Sequence, residues 1–237
     1  MQHTSRAGKA LRAAFPYTVP ILAGFCFLGL TYGVYMKTNG FSFLYPALMS
    51  LLIFAGSMEF ITAGLLIEAF DPLNAFFMAL MVNGRHIFYG ISILDRYRAK
   101  GWKTPYLIFG MCDESFSINL MANIPENVDA GWFMFFVTLL NHLYWFVAST
   151  LGGLLGSLVH FNTQGLEFVM TALFVTIFLE QWLKEPSHVS SCIGVLLSVL
   201  CLALLGPQRF IIPAMLAILC VLTLLRGRLE KGGAVQK

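Results

Sequence analysis

The chain has 237 residues, of which 58% are hydrophobic and only 11% charged, with a formal net charge of +3. So much apolar surface cannot hide in one soluble core, which leaves no room for a soluble domain and indicates an all-α polytopic membrane protein. Lys and Arg gather at the N-terminus, at Arg96 to Lys103 and at the C-terminus. That pattern marks cytoplasmic loops rather than a nucleic-acid surface.

The basic arm over 1–14 leads into a first span from about Phe15 to Met36, with Pro16 and Pro20 near its start and a GxxxG pair at Gly29 and Gly33. The run is too long for a signal peptide and lacks a small-residue cleavage site, so it reads as a retained helix. A second segment, Phe43 to Phe70, is interrupted at Gly56-Ser57-Met58-Glu59. The third begins at Asp71-Pro72, an N-cap followed by proline at the first helical position, and reaches Leu94. Pro105 opens a fourth segment to about Ala122, and an acidic connection with Glu126 and Asp129 leads to the fifth, Trp132 to Ser157, with a second GxxxG pair at Gly152 and Gly156. The sixth runs from about Gly165 to Lys184, and two short apolar runs, Val189 to Leu205 and Phe210 to Leu225, precede a basic tail over 227–237.

About eight hydrophobic segments result, and their charges constrain how they cross. With the N-terminus in the cytoplasm, three full crossings would put Arg96, Arg98, Lys100 and Lys103 outside, against the positive-inside rule. The second segment is therefore expected to turn back at its Gly56-Ser57 break, since irregular backbone at membrane depth is tolerated where protein or a water-filled cavity receives it. A sixth segment that also turns back keeps the acidic connection outside and the tail inside. The expectation is one transporter domain of two inverted halves, 15–122 and 131–226, each with three crossings and a broken or re-entrant helix. A faint echo links FLYPALMSLLIFAGSMEF to EFVMTALFVTIFLEQW. Eight plain crossings with one loop that breaks the charge rule is the alternative. Inverted repeats around broken helices are a recurrent transporter design, with the site at mid-depth.

The polar residues inside these spans are the candidates for function, because a charge at hydrocarbon depth costs about 2.5 to 3.5 kcal/mol on insertion scales. Asn83, His86 and Tyr89 are spaced three apart and Arg85 and Tyr89 four apart, which makes one side of the third helix polar and aromatic. Arg85 requires an acid, and Glu59, Asp113 and Glu114 are the available partners. The cluster would bind a zwitterion or relay a proton, or else form a structural ion pair. His86 titrates near neutrality when unperturbed, which suits proton coupling, and a buried hydrogen-bonded histidine is the plain alternative. Glu59 follows the break, where the free N–H groups of a half-helix would hold a carboxylate, unless it merely caps its own helix. Adjacent Asp113 and Glu114 point in different directions, so at most one faces Arg85, and Asp113 shares a face with Ser117. Asn141 and His142 read as hydrogen-bonded packing residues, and Glu180, with Lys184 one turn on, as an interfacial ion pair or a counterpart of Glu59. The five cysteines lie singly in apolar runs, with neither disulfide nor metal spacing.

FAGSMEFITAGLL, NGRHIFYGISIL, CDESFSINL and ALFVTIFLEQW resemble the motifs of the AzlC family, the large subunit of bacterial branched-chain amino acid exporters associated with azaleucine resistance. The resemblance covers most of the chain from about Gly24 onward and is most specific at Asn83, Arg85 and His86. It implies an inner-membrane exporter of valine, leucine, isoleucine and methionine, driven by proton antiport, with a small hydrophobic AzlD-type partner. It carries over Ser57, Glu59, Phe60, Asn83, Arg85, His86, Asp113, Glu114 and Ser117. Many members have glutamine where this chain has Glu59, which favours Asp113 or Glu114 as proton carrier. No cofactor is implied. A proton or ion channel would need a continuous polar path rather than clusters near one depth, and an intramembrane enzyme would need a metal motif or nucleophile elbow, neither of which occurs.

Overall fold

A computed structural model describes residues 6–67, 71–98, 100–156, 188–206 and 210–233, with isolated positions between 168 and 183. Among the described residues regular structure is helical throughout: α1 (Arg6–Thr38), α2 (Leu44–Leu52), α3 (Gly56–Leu65), α4 (Pro72–Asn83), α5 (Arg85–Tyr97), α6 (Lys103–Phe109), α7 (Asp113–Met121), α8 (Ala130–Leu155), α9 (Val189–Leu205) and α10 (Ile211–Gly233). Two compact units separate at Leu166, and all that follows on the site concerns the first. The second holds α9 and α10, which pack against each other. Glu180 and the expected turn in the sixth segment lie outside the described residues.

Helices α1 and α8 are each long and apolar enough to cross a hydrocarbon core. They pack side by side and run parallel: Tyr17 meets Phe133, Phe25 meets Trp145, and Lys37 meets Gly156. The two GxxxG pairs meet each other here. A Cβ on Gly33 would strike the Ser149 carbonyl and lie 2.6 Å from the Gly152 carbonyl carbon, and a Cβ on Gly152 would strike the Leu30 carbonyl. Only glycine permits this backbone approach. Pro16 and Pro20 sit within α1, where the Thr18 hydroxyl donates to the Phe15 carbonyl at 2.9 Å and lies 3.2 Å from the Tyr144 hydroxyl.

The end holding the N-termini of α1 and α8 is the basic end. From the opposite end α2 dips inward: Phe43 and Pro46 pack on Gly153, whereas Ser50 reaches His142. The chain reverses at Phe54-Ala55, where Phe54 adopts a positive φ of 48°. α3 then returns, with Gly56 against Trp145 and Phe60 against Tyr32 and Tyr35. The second segment therefore turns back at mid-depth, as its Gly-Ser break and the charge rule require.

α4 starts at Asp71, whose carboxylate accepts from the Leu73 N–H at 3.1 Å, and α4 and α5 together travel to the basic end, interrupted only at Gly84. There Tyr97, Ile93, Ala14, Leu107, Phe133, Met134 and Val137 form a buried, largely apolar cluster.

The fourth segment does not cross, which corrects the expectation. α6 enters from the basic end beside Trp132, over which Lys103 Nζ lies at 4.4 Å, and reaches Gly110 opposite Thr138. α7 then runs back, so that Ala122, Asn123 and Ile124 line one cavity with Arg96, Lys100, Ala130 and Met134. The acidic connection consequently lies at the basic end, where Glu126 and Asp129 line a cavity with Arg6 and Lys9. The inverted-halves expectation fails on the same point. First spans of inverted halves run antiparallel, and α1 and α8 run parallel.

A smaller inverted pair replaces it. The hairpins α2–α3 and α6–α7 enter from opposite ends, and each carries Leu-Ile-Phe, four residues and Glu: Leu52-Ile53-Phe54 to Glu59, and Leu107-Ile108-Phe109 to Glu114.

Candidate functional site

Both hairpin tips meet at His142, near the middle of α8. Its Nε2–H donates to the Ser50 carbonyl at 3.1 Å, the Tyr106 hydroxyl donates to Nδ1 at 3.0 Å, and its ring stacks on Phe54 at 4.4 Å and lies 5.8 Å from Phe109. These partners fix the ring's neutral tautomer.

Three helices, α3, α5 and α7, begin at this depth. Their N-termini present backbone N–H groups and the positive ends of helix dipoles at the level of the middle of α8. The starts of α3 and α7 are pinned locally. The Glu59 carboxylate accepts from the Ala55 N–H at 3.0 Å, while Ser115 Oγ accepts from the Cys112 N–H and donates to the Gly110 carbonyl, each at 2.9 Å.

The sequence-derived candidates fall into two groups. In the first, Arg85 Nη1 and Asp113 Oδ2 form an ion pair at 3.1 Å with side chains 30% and 28% exposed, which selects Asp113 from the three acids. Around it, His86 Nδ1 donates to the Asn83 carbonyl at 3.1 Å, the His86 and Tyr89 rings meet edge to face, and Tyr89 stacks on Phe116 at 4.3 Å. The last contact ties α5 to α7 beside the pair. Three buried polar atoms here have no protein partner: Arg85 Nε, Asp113 Oδ1 and Asn83 Oδ1. One is a donor and two are acceptors, within one cluster. Glu114 flanks the pair against the Cys112 thiol.

The second group is Glu59, fully buried, whose two carboxylate oxygens receive the Trp145 indole N–H at 3.0 and 3.1 Å. Tyr32 packs against both Trp145 and Phe60, and Ser57 is buried in the first turn of α3. Ser117 joins neither group, because it lies exposed on α7. Trp145 and the bridging role of His142 escaped sequence reasoning. The repeated Leu-Ile-Phe-x4-Glu string was the available signal for paired hairpin tips. Among the described residues no cluster of His, Cys, Asp or Glu is arranged to hold a metal ion.

These features define an all-helical membrane protein with broken helices converging at mid-depth. The chain belongs to the AzlC family: the profile described as AzlC protein matches residues 20–159. It is 63% identical over 98% of its length, and 91% of the relative's, to the branched-chain amino acid transport protein AzlC of Bacillus subtilis. It is 50% identical to a membrane protein of Haemophilus influenzae, with 97% of this chain and 94% of the relative covered. Identity to the inner membrane protein YgaZ of Escherichia coli is 26%, over 72% of each chain. No solved structure matches.

Proposed function

We propose that this protein is a secondary transporter that exports branched-chain and similar hydrophobic amino acids, valine, leucine, isoleucine and methionine, across the bacterial inner membrane, coupled to protons and assisted by a small AzlD-type subunit. The name of the Bacillus subtilis relative, at 63% identity, supports the substrate class. The observation that carries the reading is the Arg85–Asp113 pair with Arg85 Nε and Asp113 Oδ1 both buried and unused. A zwitterion matches that arrangement, its carboxylate accepting from the guanidinium and its ammonium donating to the carboxylate. The three helix N-termini favour the same end of the ligand. Apolar side chains differing by a methylene are separated by only about 1 to 3 kcal/mol, so selectivity among them is loose.

Arg6, Lys9, Arg12, Arg96, Arg98, Lys100 and Lys103 all belong to the basic end, which by the positive-inside rule faces the cytoplasm. The positive-inside rule applied to the basic tail predicts a cytoplasmic C-terminus as well. Radiolabelled leucine binding to detergent-solubilised protein tests the reading: wild type binds and Arg85→Ala, still folded, does not. Equal binding by both removes the pair from the site.

A further inference from the structure

One stripe of α8 carries polar groups that the proposed amino acid site does not use. Thr138, Asn141, Trp145 and Ser149 follow one another at helical spacing and all are buried. Asn141 is fully buried, and both its amide nitrogen and its amide oxygen lack a protein partner. Asn119 of α7, also fully buried, directs Nδ2 to the Tyr97 hydroxyl at 2.9 Å and to Thr138 at 3.5 Å, while its Oδ1 has no partner. Leaving such groups unpaired costs about 1 to 3 kcal/mol each, and buried water is the usual remedy, each molecule making about three hydrogen bonds.

The stripe has an entrance and a destination. At the basic end a cavity of about 410 Å³ is lined by Arg96, Lys100 and Asn123, and Arg96 Nη1 donates to the Asn119 carbonyl at 2.7 Å. Inward, Trp145 donates to Glu59, a fully buried carboxylate without an ion-pair partner among the described residues. Tyr32, on α1, is its titratable neighbour. From Thr138 to Trp145 is about 10 Å along the helix, a span that a few water molecules bridge.

We propose that a row of ordered water runs along this stripe from the basic-end cavity past Asn119 and Asn141 to Glu59, and carries protons between that cavity and the carboxylate. Each water accepts one proton and passes one on; Glu59 is the neutral acid while it holds the proton and the carboxylate once the proton has left toward the cavity, with no electron transfer. The use of that proton in transport rests on the exporter reading, whereas the water row does not.

Exchange of the Trp145 indole N–H in the full-length, solubilised protein tests the row directly. Tryptophan is labelled with nitrogen-15 and the resonance assigned with Trp145→Phe. Buried as it is, this proton should exchange into deuterium oxide far faster than neighbouring α8 amides. Asn141→Leu should slow it about tenfold, and Asn141→Ser should restore the rate. A wild-type indole as slow as the surrounding amides overturns the proposal without any variant having to fold, and so does a rate unchanged by Asn141→Leu. In proteoliposomes, Asn141→Leu should reduce pH-gradient-driven leucine movement about tenfold relative to leucine–leucine exchange. An equal loss of both assigns Asn141 to the amino acid and overturns the row. If wild-type leucine movement ignores the pH gradient while the indole results hold, proton coupling fails and the water row stands.

Discussion

Phe54 and His142 lie ring on ring, 4.4 Å between centroids, at the point where two hairpins from opposite ends of the bundle touch. His142 also carries one hydrogen bond to each hairpin, through the Ser50 carbonyl and the Tyr106 hydroxyl. Substituting phenylalanine preserves the stacking and deletes both bonds, leaving buried partners unpaired. His142→Phe should cost about 1 to 3 kcal/mol for each orphaned group, read as a lowered thermal midpoint in detergent. An unchanged midpoint means that the tips are held by something else.

The parallel seam between α1 and α8 makes a sharper contrast. Gly33 and Gly152 have no space for a methyl group, because a Cβ on either meets partner backbone, whereas a Cβ on Gly24 in the same helix meets nothing within 4 Å. Backbone cannot move aside as a side chain does. Gly33→Ala and Gly152→Ala should therefore yield little monodisperse protein on size exclusion, with Gly24→Ala behaving as wild type. Tolerance of all three would rule out the seam.

Arg85 and Asp113 should act as a unit in leucine binding. Removing either one leaves the other partly buried and unpaired, and the zwitterion loses one of its two counter-charges. Arg85→Ala and Asp113→Ala should each weaken binding at least about tenfold, and the double variant should lose much less than the product of the two. Multiplicative losses in the double variant would show that the two residues act separately. Arg85→Lys keeps the charge and loses the Nε donor, so it should bind only weakly.

The sequence revealed the second segment's reversal and missed the fourth's for a physical reason. At Gly56-Ser57 a small polar pair followed by Glu59 breaks a long apolar run, and the excess positive charge beyond it demanded a turn. Gly110-Met111-Cys112 breaks a run whose total length equals that of an ordinary crossing. Charges fix only whether the number of crossings is even or odd, so a fourth segment that crosses can be compensated by a sixth that does not. The pairing of Arg85 with an acid followed from the cost of an isolated guanidinium, but its choice of Asp113 depends on where α7 starts. The partners of Glu59 were invisible because Trp145 is one aromatic residue among many, placed by packing between distant segments.

Ser117 separates the motif from the geometry. Helical spacing and family resemblance both group it with Asp113, yet α7 leaves it exposed while Ser115 turns inward to hold the break between α6 and α7. Ser117→Ala should change leucine affinity by no more than about 0.5 kcal/mol, as expected of an exposed side chain without a structural bond. Ser115→Ala should be damaging, since it removes the acceptor of the Cys112 N–H and the donor to the Gly110 carbonyl at the start of the helix carrying Asp113. Equilibrium binding on the two variants at matched expression decides between them, and a Ser117→Ala loss as large as that of Ser115→Ala would return Ser117 to the site.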